Sequence, residues 1–220
     1  MKHTKLVLFA FAIFAMAGGF TGAQAQMGGM MGGQQPPGQG GGMGRMGGMS
    51  MPAAGSAVDP AKAFDASVTR LETLWMGAAQ AMPAEKYGFA PSAAIFVPAQ
   101  KVQYDGVRTY AEIVTHTIQA NYMYFGQIGG IKPDVDVQAI GKLTAKDDIV
   151  KALAATFAFA HKAVANVTAA NAFTSVRGMQ TPATIFAGAV GHAEDEYGQA
   201  VEYLRMNGIV PPASEGRPRM

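Results

Sequence analysis

Beyond residue 58, apolar residues return every three or four positions. The chain there reads as four amphipathic helices separated by proline- and glycine-marked breaks. Asp59-Pro60 opens the first, a carboxylate N-cap followed by proline at the first helical position. Its stripe is Phe64, Val68, Leu71, Trp75, Ala78 and Met82, and Pro83 ends it. The second is expected from about Val107 to Phe125, between Asp105-Gly106 and Gly129-Gly130, with Thr109, Ile113, His116, Ala120 and Met123 on one face. Thr144 is expected to open the third through a capping box with Asp147. Ile149, Leu153, Phe157, Ala160, Val164 and Val167 form its stripe, with a short loop after it. Thr181-Pro182 opens the fourth, whose stripe is Ile185, Ala189, His192, Glu196, Gln199 and Tyr203. Asn207-Gly208 is a left-handed terminator, and Pro211-Pro212 prevents resumption. No strand pattern of comparable strength competes, so the expected fold is all-α, a four-helix bundle over residues 59–214 with a short tail, 215–220. The connection between the first two helices, with prolines at 83, 91 and 98, is the expected place for a lid or irregular packing element, held by Tyr87, Phe89, Ile95 and Phe96. Gly188, Gly191 and Gly198 each cost about 1 kcal/mol inside a helix, which predicts close approach by a neighbouring backbone.

Before residue 59 the pattern is different. Lys2 and Lys5 precede an unbroken apolar run from Leu6 to Ala17, and Ala23-Gln24-Ala25 is a small-x-small site. This is the layout of a cleavable signal peptide, residues 1–25, and the run falls short of the roughly 20 residues a spanning helix needs. The expectation is export to a periplasmic or secreted location, with no transmembrane segment in the mature form. Residues 26–58 are rich in Gly, Met, Gln and Pro, with Arg45 as the one charge and no aromatic residue, a composition that predicts a disordered linker. Its methionines at 27, 30, 31, 43, 46, 49 and 51 are soft ligands of the kind that hold copper(I); as a plain spacer they need no role.

Composition narrows the chemistry. There is no cysteine, which excludes disulfides, thiolate metal sites and a cysteine nucleophile. Without Lys2 and Lys5, Lys+Arg equals Asp+Glu at 15, and no basic run suggests nucleic acid. No serine or lysine stands out as a nucleophile, and no Gly-rich strand-to-helix turn offers a phosphate cradle. What remains is His116 on the inward stripe of the second helix, with His192 and Glu196 one turn apart on the inward stripe of the fourth. A buried carboxylate is costly unless a cation compensates it, and two imidazoles with one carboxylate are a ligand set for a divalent metal. The alternative is a satisfied core. Glu112, one turn before His116, is either a further ligand or an acceptor for an imidazole N–H, or a first-turn carboxylate serving the helix dipole. His161 falls off its stripe and reads as a flank residue; Glu194 and Asp195 read as solvated.

Three segments resemble the DinB-like (DinB/YfiT superfamily) proteins. They are Ala78 to Pro91, reading AAQAMPAEKYGFAP; Tyr110 to Tyr122, with His116 and Ala120-Asn121-Tyr122; and His192 to Ser214, reading HAEDEYGQ and then YLRMNGIVPPAS. The resemblance covers about Asp59 to Ser214. It implies helices in an up-down-down-up order and one divalent metal, often zinc or nickel, on three histidines. One of these comes from the second helix and two from the fourth as His-x3-His. By position these fall on His116, His192 and Glu196, so glutamate stands where the family has histidine; with a carboxylate among the ligands, zinc or iron(II) is the expected ion. The resemblance further implies thiol-dependent transfer or metal-dependent hydrolysis of an unidentified small-molecule substrate, and homodimers formed through helix faces. A degenerate, non-catalytic envelope protein is the alternative.

Overall fold

The structure, a computed structural model, describes residues 52–98 and 100–216. The signal-peptide reading and almost all of the methionine-rich linker, including its seven methionines, lie outside the described residues. Residues 52–58 are exposed and non-helical. Among the described residues the regular structure is helical: α1 (Pro60–Ala81), α2 (Tyr110–Gly129), a single-turn α3 (Val137–Ile140), α4 (Lys146–Val164) and α5 (Pro182–Met206), with three short 3₁₀ turns. None of these helices is long and apolar enough to cross a membrane.

The caps explain most boundaries. The Asp59 carboxylate accepts from Lys62 N–H at 3.1 Å at the start of α1. Thr181 and Thr184 cap α5 reciprocally, with Pro182 at its first position. At the other end of α5, Gly208 takes φ +76°, Gly208 N–H donates to Arg205 C=O and Ile209 N–H to Leu204 C=O, a complete Schellman termination. The start of α2 lies three residues later than expected. Thr109 is its cap: the hydroxyl accepts from Glu112 N–H, and the Glu112 carboxylate accepts from Thr109 N–H at 2.7 Å. The Thr144–Asp147 capping box does not form. Ala145 occupies the N-cap of α4 without a side-chain bond, and Asp147 and Asp148 serve the first turn by charge alone. The sequence pattern missed α3, whose signal was Asp136 accepting from Gln138 and Ala139 N–H.

The four long helices share one core, and each packs on two others: α1 on α4 and α5, α2 on α4 and α5. Paired contacts set their directions. Phe64 stacks on Phe186 and, further along both helices, the Trp75 indole donates to Ala193 C=O, so α1 and α5 run the same way. Phe125 meets Phe186 while His116 meets His192, so α2 opposes α5. Lys146 reaches Gln80 C=O while His161 reaches Asp65, so α4 opposes α1. The predicted stripes of α1 and α4 are buried, apart from a half-buried Phe64; Val167 is buried just beyond the end of α4. Gln199 is exposed.

Three expectations fail here. The connection from α4 to α5 is not short; it spans residues 165–181. Gly191 and Gly198 have open space where a side chain would be and Gly188 only an ordinary contact with Tyr124, so no backbone crowds that face. The close approach is at Gly129, where an added Cβ would lie 2.6 Å from Ala163 Cα. In the connection between α1 and α2, Ile95 is exposed rather than packed. Tyr87 anchors the connection as expected, donating to Ala79 C=O at 2.7 Å, beside Tyr110 donating to Ala78 C=O at 2.8 Å, and Phe89 packs on the core. The Tyr87 hydroxyl satisfies a last-turn carbonyl of α1 that Pro83, lacking an N–H, cannot reach, while Ala78 C=O also accepts from Met82 N–H at 3.4 Å.

Candidate metal centre

His116 projects from the middle of α2, and His192 and Glu196 from successive turns of the antiparallel α5. The Trp75–Ala193 hydrogen bond sets the rotation of α5 beside His192. The three predicted ligands converge. His116 Nε2 lies 3.1 Å from His192 Nε2 and 3.5 Å from Glu196 Oε1, and His192 Nε2 lies 3.9 Å from the same oxygen. A triangle with those sides has a circumradius of roughly 2 Å, within the Zn–N and Zn–O bond range of about 2.0–2.2 Å. One ion can therefore touch all three atoms without moving a helix.

Burial makes the need for a cation plain. Glu196 is 5 % exposed, and its Oε2 has no hydrogen-bond partner. Arg108, at the turn before α2, reaches Oε1 only at 3.7 Å. A buried carboxylate oxygen left unpaired costs about 1–3 kcal/mol or more. His192 Nδ1 is likewise buried without a partner. Burial, together with the nearby Arg108 charge, pushes the His116 imidazole below its ordinary pKa, against a smaller opposing pull from Glu196. The ring is thus held neutral, the form that binds metal.

Both imidazoles open onto a cleft of ≈ 380 Å³ between α2, α5 and the single turn of α3, lined by Gln119, Met123, Tyr124 and Val137 among others. Gln119 donates to Val137 C=O at 2.9 Å and so pins α3 over the cleft. Met123, expected on the inward stripe of α2, is 53 % exposed at this cleft's edge. Of that stripe, His116, Ala120 and Met123 line the cleft, while Ile113 lies in the core with Val114, Ile118, Tyr122 and Phe125. Arg108, Gln119 and Tyr124 were missed as site residues. Gln119 and Tyr124 were within reach of the pattern, since they stand three and eight residues beyond His116 on its side of the helix.

The remaining candidates fall away from the site. Glu112 is committed to its cap: its carboxylate takes both the Thr109 N–H and the Thr109 hydroxyl, and these bonds lower its pKa. Glu194 is half-exposed but pairs with Arg70 across to α1 instead of standing free. Asp195 is exposed and accepts only from Gln199. His161 does lie on the flank, but bonded, between Asp65 at 2.5 Å and Glu72 at 3.3 Å on α1. Among the described residues, the one group of histidines and carboxylates with ligand atoms close enough to share an ion is His116, His192 and Glu196. No protein-family model matches the chain, and no curated protein matches it.

Proposed function

We propose that this chain is an exported DinB-like four-helix bundle that binds one divalent metal ion on His116, His192 and Glu196. The observation that carries the reading is the buried Glu196 carboxylate, facing two imidazole nitrogens at 3.5 and 3.9 Å with its second oxygen unpartnered. The resemblance of the three quoted segments supports the family assignment. The opposed directions of α1/α5 and α2/α4 agree with an up-down-down-up order. The donor set suits zinc or iron(II), and with glutamate at the third position it is harder than three histidines, which argues less for nickel.

Two helices supply the ligands and one side of the cluster faces the cleft, so a small molecule has a route to an open coordination position. A metal bound there supplies Lewis acidity and a lowered pKa for a coordinated water or thiol, the chemistry of hydrolysis or thiol transfer. The protein's own contribution is to keep His116 neutral, to hold Glu196 out of water, and to shape the cleft with Gln119, Tyr124 and the α3 turn. A non-catalytic, metal-binding role is the second reading. His192 favours it: its Nδ1 lacks the acceptor that normally orients a ligating imidazole and raises its basicity.

Metal analysis of the purified chain tests the proposal. Close to one equivalent of a divalent metal is expected in the native protein, with loss of most of it in His116→Ala. Equal metal content in the two proteins would defeat the reading.

A further inference from the structure

Arg108 is unusual among the charged side chains near the cluster. Its backbone is held on both sides: Tyr203 Oη donates to Arg108 C=O at 2.9 Å, and the next residue, Thr109, is locked into the cap of α2. Its side chain is 45 % exposed, and its guanidinium approaches one acceptor, Glu196 Oε1, at 3.7 Å, beyond hydrogen-bond distance. A guanidinium carries five N–H donors in a rigid fork. None of them has a hydrogen-bonded acceptor among the described residues.

The same side chain lines a recess of ≈ 190 Å³ with Glu112, Thr115, His116, Gln119 and Gly141. His116 and Gln119 also line the larger cleft, so the two spaces meet at a ligand imidazole. Charge completes the picture. A divalent ion on two neutral imidazoles and one carboxylate leaves a net charge of +1, and it takes over the neutralisation of Glu196 that Arg108 otherwise performs at a distance. Arg108 then stands as a second positive charge with its fork uncommitted. The one acidic neighbour in the recess, Glu112, holds the Thr109 cap and meets Arg108 through charge alone, with no hydrogen bond between them.

Resting on the metal-site reading, we propose that Arg108 selects the ligand of this site, and that this ligand is a small molecule bearing a carboxylate a few bonds from its metal-binding atom. A planar carboxylate matches the guanidinium fork in a two-bond contact. A phosphate dianion fits less well: the recess offers it one cation for two charges, and the Glu112 carboxylate opposes a dianion more strongly than a monoanion.

The test uses the mature protein loaded with cobalt(II), whose visible spectrum reports the metal's ligands. It is titrated with two hydroxamates, succinate monohydroxamate and butyrohydroxamate. They share the metal-binding group and chain length, and differ in a terminal carboxylate against a methyl group. The native protein is expected to bind the succinate compound about 10- to 100-fold more tightly, the span of a charge-assisted hydrogen-bonded pair. In Arg108→Gln that preference should disappear while butyrohydroxamate affinity stays within about two-fold, and cobalt(II) should bind at least as tightly, since a like charge has been removed. Cobalt binding with no preference in the native protein, or with the same preference in Arg108→Gln, overturns the assignment and leaves the metal site standing. Failure of both proteins to show a protein-bound cobalt spectrum overturns the metal site itself, and this proposal with it.

Discussion

Among the described residues two histidine–carboxylate clusters join helices, and they are chemical opposites. Between α1 and α4, one imidazole, His161, faces two partly exposed carboxylates. Its Nδ1 meets Asp65 and its Nε2 meets Glu72, so the ring's two nitrogens point to different partners and no single point is shared. Burial works against a charge on that ring, but the bonds to both carboxylates outweigh it and raise the pKa. Between α2 and α5, two imidazoles face one buried carboxylate, both through Nε2, and the His116 pKa falls. The first cluster makes its own cation by taking up a proton. The second has a buried carboxylate that Arg108 meets only at 3.7 Å, and a His116 ring that burial and Arg108 hold below its ordinary pKa. Residue types alone do not distinguish a candidate metal site from an ion-pair clip. The direction of the nitrogens and the ratio of rings to carboxylates do.

The contrast is broken most sharply by metal. Addition of zinc to the chelator-treated protein at about 100 times its Kd should stabilise it by about 2.7 kcal/mol. For a domain of this size that is a rise in melting temperature of about 5–10 °C. Glu196→Gln should abolish that rise, whereas Glu72→Gln should leave it intact; a full response in Glu196→Gln would show that the two clusters do not differ in this way.

A second effect runs the other way. In metal-free protein Glu196→Gln should raise stability by about 1 kcal/mol in denaturant unfolding, because it removes a buried carboxylate with an unpaired oxygen. Glu72→Gln, which takes a partner from His161, should lower it slightly. The smallest effect concerns pH at the clip. A raised folded-state pKa gives stability that is complete below the unfolded value of about 6.5 and is lost as pH rises through the folded value. His161→Gln should therefore cost up to about 1 kcal/mol near pH 5.5 and almost nothing near pH 8.5, read from urea midpoints at the two pH values. An equal cost at both would mean that the ring acts by packing.

Local chemistry made much of the fold legible. Asp59-Pro60, Thr181-Pro182 and Asn207-Gly208 mark ends that the structure realises atom by atom, because caps are settled within one turn. Thr144 with Asp147 has the right residues at the right spacing and still forms no box. A hydroxyl at that position has other backbone conformations open to it, and which one wins depends on how the chain leaves α3. The three glycines of α5 were misleading for a related reason: glycine signals either crowding or exposure, and only the neighbouring helix shows which. Gly129, against Ala163, is the crowded one.

Helical periodicity, the faces carrying His116, His192 and Glu196, and the one-turn spacing of the last two are written in the order of residues, since side-chain direction along a helix follows from residue number. Tertiary structure alone decided that α2 and α5 run antiparallel at the height where three ligand atoms meet within bonding reach of one ion, that Arg108 leans over them from the turn before α2, and that His161 is clasped by α1. Those facts depend on packing between residues 76 to 96 positions apart in the chain, and no local rule reaches that far.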